Sequence, residues 1–369
     1  MVAKDKKRGF DKVFFLLTLA LIIFGFFIFT SASLGLLAKD KGNFGDVAFS
    51  QTFFGLFLGT LAMLTLSKIH YRKWRKYAIY IFLFSVIATI LVFIPGLGFQ
   101  HGGARRWVYI LGISFQPAEF LKIGFIIYLS TWLSGIKNEI EKIHLGLVPF
   151  LILVGIAASL LLTQPDIGTF LVIAAAGFSI FVAAGAKWRD VIIFMILGVI
   201  GIGLIALLKP YATERIITFL DPSRDYQRAS YQLQQSLIAI GAGGTFGRGF
   251  GQSIQKFGFL PEPVGDSIFA VAAEEFGFLG SLLLITLFVF FALRGLKIAK
   301  WSPDKFGGLL VVGIIMLIII QSFFNIASMT GVVPMSGLPL LFVSHGGTAL
   351  FFTLASIGIV LNVSRYNSR

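Results

Sequence analysis

The sequence predicts an all-α polytopic integral membrane protein with about ten transmembrane helices. Of its 369 residues, 57% are hydrophobic and 13% charged, whereas a soluble domain carries about 25% charged residues. The apolar residues gather in stretches close to the ~20 residues a helix needs to cross the hydrocarbon core. Phe and Gly each occur 41 times, and Gly is frequent in membrane helices because it lets backbones approach. The stretches are 13–30, 47–66, 77–95, 115–133, 145–163, 167–186, 191–208, 268–293, 307–328 and 346–363. The first runs to Thr30 without an A-x-A-like cleavage site, so no cleavable leader is expected. All ten belong to one membrane domain, 1–369. A long polar segment, 209–267, follows the seventh stretch and is expected to be a large extracytoplasmic loop.

Lys and Arg concentrate in cytoplasmic loops, which fixes orientation. With the N-terminus inside, the inner segments hold 20 of the 31 basic residues and 6 acids, a net +14. The outer segments hold 10 basic and 8 acidic residues, a net +2. The overall charge of +14 is thus topogenic, and nucleic-acid binding is excluded. Both termini are expected in the cytoplasm. There is no Cys, which excludes a disulfide framework and a Cys-based zinc site.

Under this topology the unusual polar residues collect on the outer side. Gly103-Ala104-Arg105-Arg106-Trp107 follows the third stretch, and Gln164-Pro165-Asp166 joins the fifth to the sixth. Leu260-Pro261-Glu262 and Asp266 close the long segment. Between the ninth and tenth stretches, 331–345 is too apolar for an ordinary loop and too rich in Pro and Gly for a helix. It reads as re-entrant, which is tolerated only where protein or water covers the backbone. One cavity open to the outside would collect all four clusters.

Each cluster also has an ordinary structural explanation. Paired arginines at a membrane edge anchor to lipid phosphates, and Trp107 is a common interfacial residue. Asp166 and Asp266 each precede a helical stretch and are suited to cap it. Glu119 and Lys122, three apart in the fourth stretch, are placed to neutralise each other. His345 is one of 4 His, and none shows zinc-ligand spacing. Glu274 and Glu275, adjacent within a membrane stretch, need partners or water and are functional candidates by position. The glycine run 241–251 lacks the Gly-Lys-Ser/Thr ending of a phosphate loop and follows a helical rather than a strand pattern. It is expected to be a flexible or closely packed loop. With no nucleotide site, a transferase here needs a substrate that carries its own activation.

Taken in order, the outer motifs resemble the SEDS family (shape, elongation, division, sporulation), which includes FtsW and RodA. The resemblance rests on GARRW at 103–107, SFQPAEFLK at 114–122, QPDIGT at 164–169, RIITFLDP at 215–222 and YQLQQSLIAIGAGG at 231–244. It continues through QKFGFLPE at 255–262 and DSIFAVAAEEFGFLG at 266–280 to GLPLLFVSHGG at 337–347. It implies a peptidoglycan glycosyltransferase that polymerises lipid II on the outer face of the bacterial cytoplasmic membrane, for cell division or cell shape. The family's catalytic carboxylate falls on Asp266. A carboxylate there suits a general base for the acceptor hydroxyl, or a ligand to a divalent cation, magnesium or manganese. Arg105, Arg106 and Lys122 suit the departing pyrophosphate. Glu119, Asp166, Glu262, Ser344 and His345 complete the expected substrate site.

This chain departs from most relatives at three places. Val264-Gly265 stands where His-Thr precedes the catalytic Asp, His345 where Tyr is usual, and Thr348-Ala349 where Ser-Ser is usual. QSIQKFGFLPE leans towards FtsW and the GLPL run towards RodA; the FtsW-like reading is favoured. The implied partners are lipid II, a single-pass class B penicillin-binding transpeptidase, and other membrane proteins of division or elongation. No nucleotide, haem or zinc is expected. A lipid-precursor flippase and a non-enzymatic scaffold are the competing functions.

Overall fold

The computed structural model describes residues 9–39, 41–101, 104–110, 113–221 and 229–367. The helices are α1 (Lys12–Lys39), α2 (Lys41–Phe49), α3 (Gly59–Leu66), α4 (Arg72–Ile90), α5 (Pro117–Gly135), α6 (Leu147–Thr163) and α7 (Ile167–Ala183). They continue with α8 (Trp188–Leu208), α9 (Pro210–Leu220), α10 (Ala229–Gly243), α11 (Ile268–Lys300), α12 (Lys305–Met329) and α13 (Gly347–Ser364). Wider π-helical turns over Ser50–Leu58 join α2 to α3 without a break. Among the described residues seven helical spans are long and apolar enough to cross a membrane, and α6 and α7 are shorter apolar helices. Large apolar side chains face outward along them: Trp188, Val199 and Leu207 are exposed. In water that surface would be a severe liability; against lipid it costs nothing. The chain is a multi-pass membrane protein.

Two parts of this architecture differ from the sequence expectation. After α4 the chain forms three short antiparallel strands, β1 (Gly98–His101), β2 (Ala104–Ile110) and β3 (Ile113–Phe115), paired in the order β1-β2-β3. The fold is therefore helical with a small sheet rather than wholly α. A Gly-Gly pair at 102–103 was the available hairpin signal. The segment 209–267 is likewise not a plain loop, since it carries α9 and α10. Gly103 of the GARRW motif lies outside the described residues.

The two chain ends meet on one face. Arg294 grips Asp11 bidentately at 2.7–3.1 Å, and the Asp11 backbone N–H donates to Ser364 Oγ. Asn362 donates to Ser67 O and accepts from the Tyr71 N–H, both at 2.8 Å. Tyr71 and Arg72 both reach Asp304, which also caps α12. Its backbone and side-chain donors hold the Asp304 carboxyl below its usual range despite partial burial, and the same burial and carboxylate push Tyr71 up.

Towards the other face, segment 331–346 is irregular yet largely buried. Its backbone groups need partners, and side-chain amides supply them. From α12, Asn325 donates to Leu338 O at 2.7 Å and Gln321 to Pro339 O at 3.2 Å. Four residues apart, the two amides share one helix face. Gln51, in the π-helical turns, donates to Ser344 O and accepts from the Gly346 N–H. Gly25 of α1 makes room: a Cβ there would lie 2.3 Å from Phe342 O.

The helix α11 is broken at Gly277, where φ is 65°. The glycine run after α10 fills the gap. Arg248 and Gly249 N–H donate to Glu274 and Glu275 O, while Phe278 and Leu279 N–H donate to Gly244 and Thr245 O, all within 2.9–3.1 Å. A Cβ on Gly277 would meet Gly247 N at 2.2 Å. The run is thus closely packed, and Gly277 admits backbone rather than a second helix.

Candidate active site

Asp266 sits at the last step of a tight turn before α11. Gly265 and Ser267 N–H both donate to Glu262 O, at 3.0 and 3.2 Å, and Glu262 itself takes a left-handed φ of 47°. The capping position of α11 is occupied by Ser267, not Asp266, so the capping role the sequence allowed for Asp266 is not used. Its carboxylate instead accepts from Gln232 Nε2 of α10 at 3.0 Å, and its backbone carbonyl accepts from Asn325 Nδ2 at 2.7 Å. Gln232 also donates to Ser267 Oγ at 2.9 Å.

The turn is clamped from behind by the irregular segment. Ser344 Oγ donates to Gly265 O and the His345 N–H to Val264 O, both at 2.7 Å. Val264 and Gly265 therefore act here through their backbone carbonyls. The His345 ring stacks on Phe29 of α1. Ser344 and His345 thus position the turn.

Burial, then the nearby negative charge of Glu262, pushes Asp266 up to about 7; the Gln232 hydrogen bond and the charge of Arg215 pull the other way. Such a carboxyl is half-ionised near neutrality, a state suited to accepting a proton. Arg215, on α9, lies over the Tyr211 ring at 4.2 Å and donates through Nη1 to Met335 O at 2.7 Å. Its electrostatic neighbours are Tyr211, Arg106, Asp266 and Asp166. That set joins groups from four separate parts of the chain.

The sequence-predicted site residues distribute unevenly. Arg105 and Arg106 follow one another on β2, so they point to opposite faces; Arg105 is exposed and Arg106 half-buried. Arg106 is occupied by the turn before α7, donating to Gln164 O at 3.2 Å and to Pro165 O, with Nη1 4.0 Å from Asp166 Oδ1. Asp166 caps α7 through the Thr169 N–H, and its Oδ2 is buried without a hydrogen-bond partner. Glu119 and Lys122 are buried and paired at 2.7 Å, and Lys122 also donates to Gln321 at 2.7 Å. They brace α5 against α12 and, through Gln321, the irregular segment.

Glu274 and Glu275 hold the glycine run. Glu274 accepts from Ser253 Oγ at 2.6 Å and pairs with Arg248, while Glu275 pairs with buried Lys256 at 2.6 Å and accepts from Ser31. Arg215 and Gln232 lay inside quoted motifs with no role assigned. Gln321 and Asn325 were missed, although polar amides in an apolar helix are the signal that finds them. Among the described residues no group of three His, Asp or Glu side chains is arranged to hold a metal.

Comparison with known proteins agrees with this architecture. The FTSW_RODA_SPOVE family model, described as "Cell cycle protein", matches residues 11–369. Stage V sporulation protein E of Bacillus subtilis (strain 168) is 36% identical, over 98% of this chain and 99% of its own. A probable peptidoglycan glycosyltransferase FtsW of Geobacter metallireducens is 35% identical, over 96% and 94%. Among solved structures, one described as "Structural coordination of polymerization and crosslinking by a peptidoglycan synthase complex" contains a chain matching at TM-score 0.80 and 27% identity, over 96% of this chain and 98% of that one. The rod shape determining protein RodA of Thermus thermophilus matches at TM-score 0.70 and 26% identity, over 98% of each. The chain belongs to the FtsW/RodA/SpoVE family, and its named relatives make it FtsW-like.

Proposed function

We propose that this protein is a peptidoglycan glycosyltransferase that polymerises lipid II at the outer face of the cytoplasmic membrane. It crosses the membrane ten times as one domain, with cytoplasmic termini, an outward 209–267 segment carrying α9 and α10, and a re-entrant 331–345 segment. The observation that carries the function is Asp266: its carboxylate is held by Gln232 and its backbone carbonyl by Asn325, within the field of Arg215.

The reaction is a single inverting displacement. Asp266 accepts the proton of the acceptor sugar hydroxyl as its oxygen bonds to C1 of the donor. The C1–oxygen bond to undecaprenyl pyrophosphate breaks, and the electron pair leaves on the phosphate oxygen. An α-linked donor gives a β-linked glycan. The energy is already in the pyrophosphate bond, so no nucleotide is required.

A magnesium or manganese ion would be held at the same place by Asp266 and Glu262. The negative charge of Glu262 acts on Asp266, and magnesium is commonly held by one or two carboxylates with substrate phosphates. When bound there it would neutralise charge developing on the leaving group. Asp166 and Arg106 form the neighbouring wall.

A class B penicillin-binding transpeptidase is the expected partner, with other division or elongation membrane proteins around it. The likeness to a chain from a peptidoglycan synthase complex supports this. A flippase needs functional polar groups reachable from both sides, and here polar groups of the chain-end face are engaged with one another in ion pairs and hydrogen bonds. Incubation of the purified protein and its transpeptidase with lipid II tests the proposal. Glycan polymer with release of undecaprenyl pyrophosphate is expected; lipid II movement across vesicles without polymer would favour the flippase.

A further inference from the structure

Two arginines face the site from different elements, and their donors are spent differently. Arg106 uses Nε and Nη2 on the carbonyls of Gln164 and Pro165, and Nη1 lies towards Asp166. Its fork is committed to one turn of protein. Arg215 commits Nη1 to Met335 O and rests its guanidinium face on Tyr211. Its Nη2 points towards Gly337. A Cβ on Gly337 would lie 3.5 Å from that Nη2 and 3.9 Å from Asp266 Oδ2. Gly337 has a φ of 69° and so favours glycine, and its missing side chain leaves a small space bordered by the guanidinium and the carboxylate.

We infer that Arg215 is the cation that takes the leaving pyrophosphate, while Arg106 builds the wall beside it. This rests on the glycosyltransferase reading. A displacement at C1 needs a proton acceptor near the attacking oxygen and positive charge near the departing one. Asp266 and Arg215 both lie beside Gly337 and supply both. An arginine also matches the diphosphate, because two parallel N–H groups engage two phosphate oxygens. No acid is needed to protonate the leaving group, since pyrophosphate departs as a stable anion. The mounting is suited to the role: α9 starts at Pro210 after α8, and Tyr211 lies one turn before Arg215 on the same face, so the aromatic ring preorganises the guanidinium.

The simpler alternative is that Arg215 only anchors Met335. Undecaprenyl pyrophosphate and undecaprenyl monophosphate, each used to inhibit lipid II polymerisation by the purified protein with its transpeptidase, separate the two. The wild type should be inhibited more strongly by the pyrophosphate. Arg215→Gln, which removes the charge but keeps a side-chain N–H donor, should lose that preference by roughly tenfold to a hundredfold and lower kcat. Arg215→Lys should keep part of it. Melting temperature in detergent monitors folding, and the Lys variant carries the test if the Gln variant is unstable. Polymer formation with the pyrophosphate preference intact in a folded Arg215→Gln or Arg215→Lys variant would overturn the assignment and leave the glycosyltransferase reading standing. A wild type that neither polymerises lipid II nor prefers the pyrophosphate would overturn both.

Discussion

At the scale of single residues, the surroundings of Asp266 set the pH at which it can accept a proton. Burial and the charge of Glu262 favour its protonated form, and its pKa lies at about 7. Below that pH the carboxyl is protonated and cannot act as a base, so kcat/KM should climb as pH rises through about 7. Removing the like charge with Glu262→Gln should move this limb to lower pH. A limb that stays in place or moves higher would contradict the assigned cause. The folded-state pKa is raised, so Asp266 contributes stability at low pH that is lost as pH rises through about 7. The position of Asp266 was legible from its motif. Gln232, 34 residues earlier, was not, because nothing local to either residue signals a contact made only when α10 packs on α11.

At the scale of elements, apolar length identified the helices but not what interrupts them. The stretch 268–293 reads as one continuous span, yet Gly277 breaks it and the glycine run restores its hydrogen bonds. A run of glycines gives no periodic signal, so its partner was invisible. Ala273, Gly277 and Gly280 form a small-residue stripe at helical spacing, a pattern that admits a neighbouring helix. Only the first behaves so, with Gly243 of α10 pressed on Ala273 O. Gly277→Ala should therefore be costly, by about 1–3 kcal/mol for the left-handed backbone alone, and by more from the clash with Gly247 N. Thermal melting in detergent reads this directly. A variant as stable as wild type would mean that α11 runs unbroken. Glu274 and Glu275, marked by position as functional candidates, proved to be the polar ties of this junction. The membrane rule locates such groups without telling a tie from a reactant.

At the scale of the whole molecule, the charge split of the loops and the grouping of polar clusters describe one polarity. Chain ends and basic loops share a face, and Asp266, Arg215, Arg106 and Asp166 gather away from it. The absence of native Cys makes single-Cys labelling in cells clean. A Cys at Leu220, at the exposed end of α9, should react with an impermeant reagent from outside; one at Trp188, at the exposed start of α8, should not. The reverse pattern would place the site in the cytoplasm and end the lipid II reading. Whether catalysis turns on Asp266 is read from Asp266→Asn in the purified complex, assayed for glycan polymer from lipid II. Asn keeps the size and much of the hydrogen bonding but cannot accept the proton, and it removes a buried charge, so the variant should fold and bind its partner. Polymerisation should fall roughly a hundredfold to ten-thousandfold; near-normal polymer from a folded Asp266→Asn protein would contradict the account.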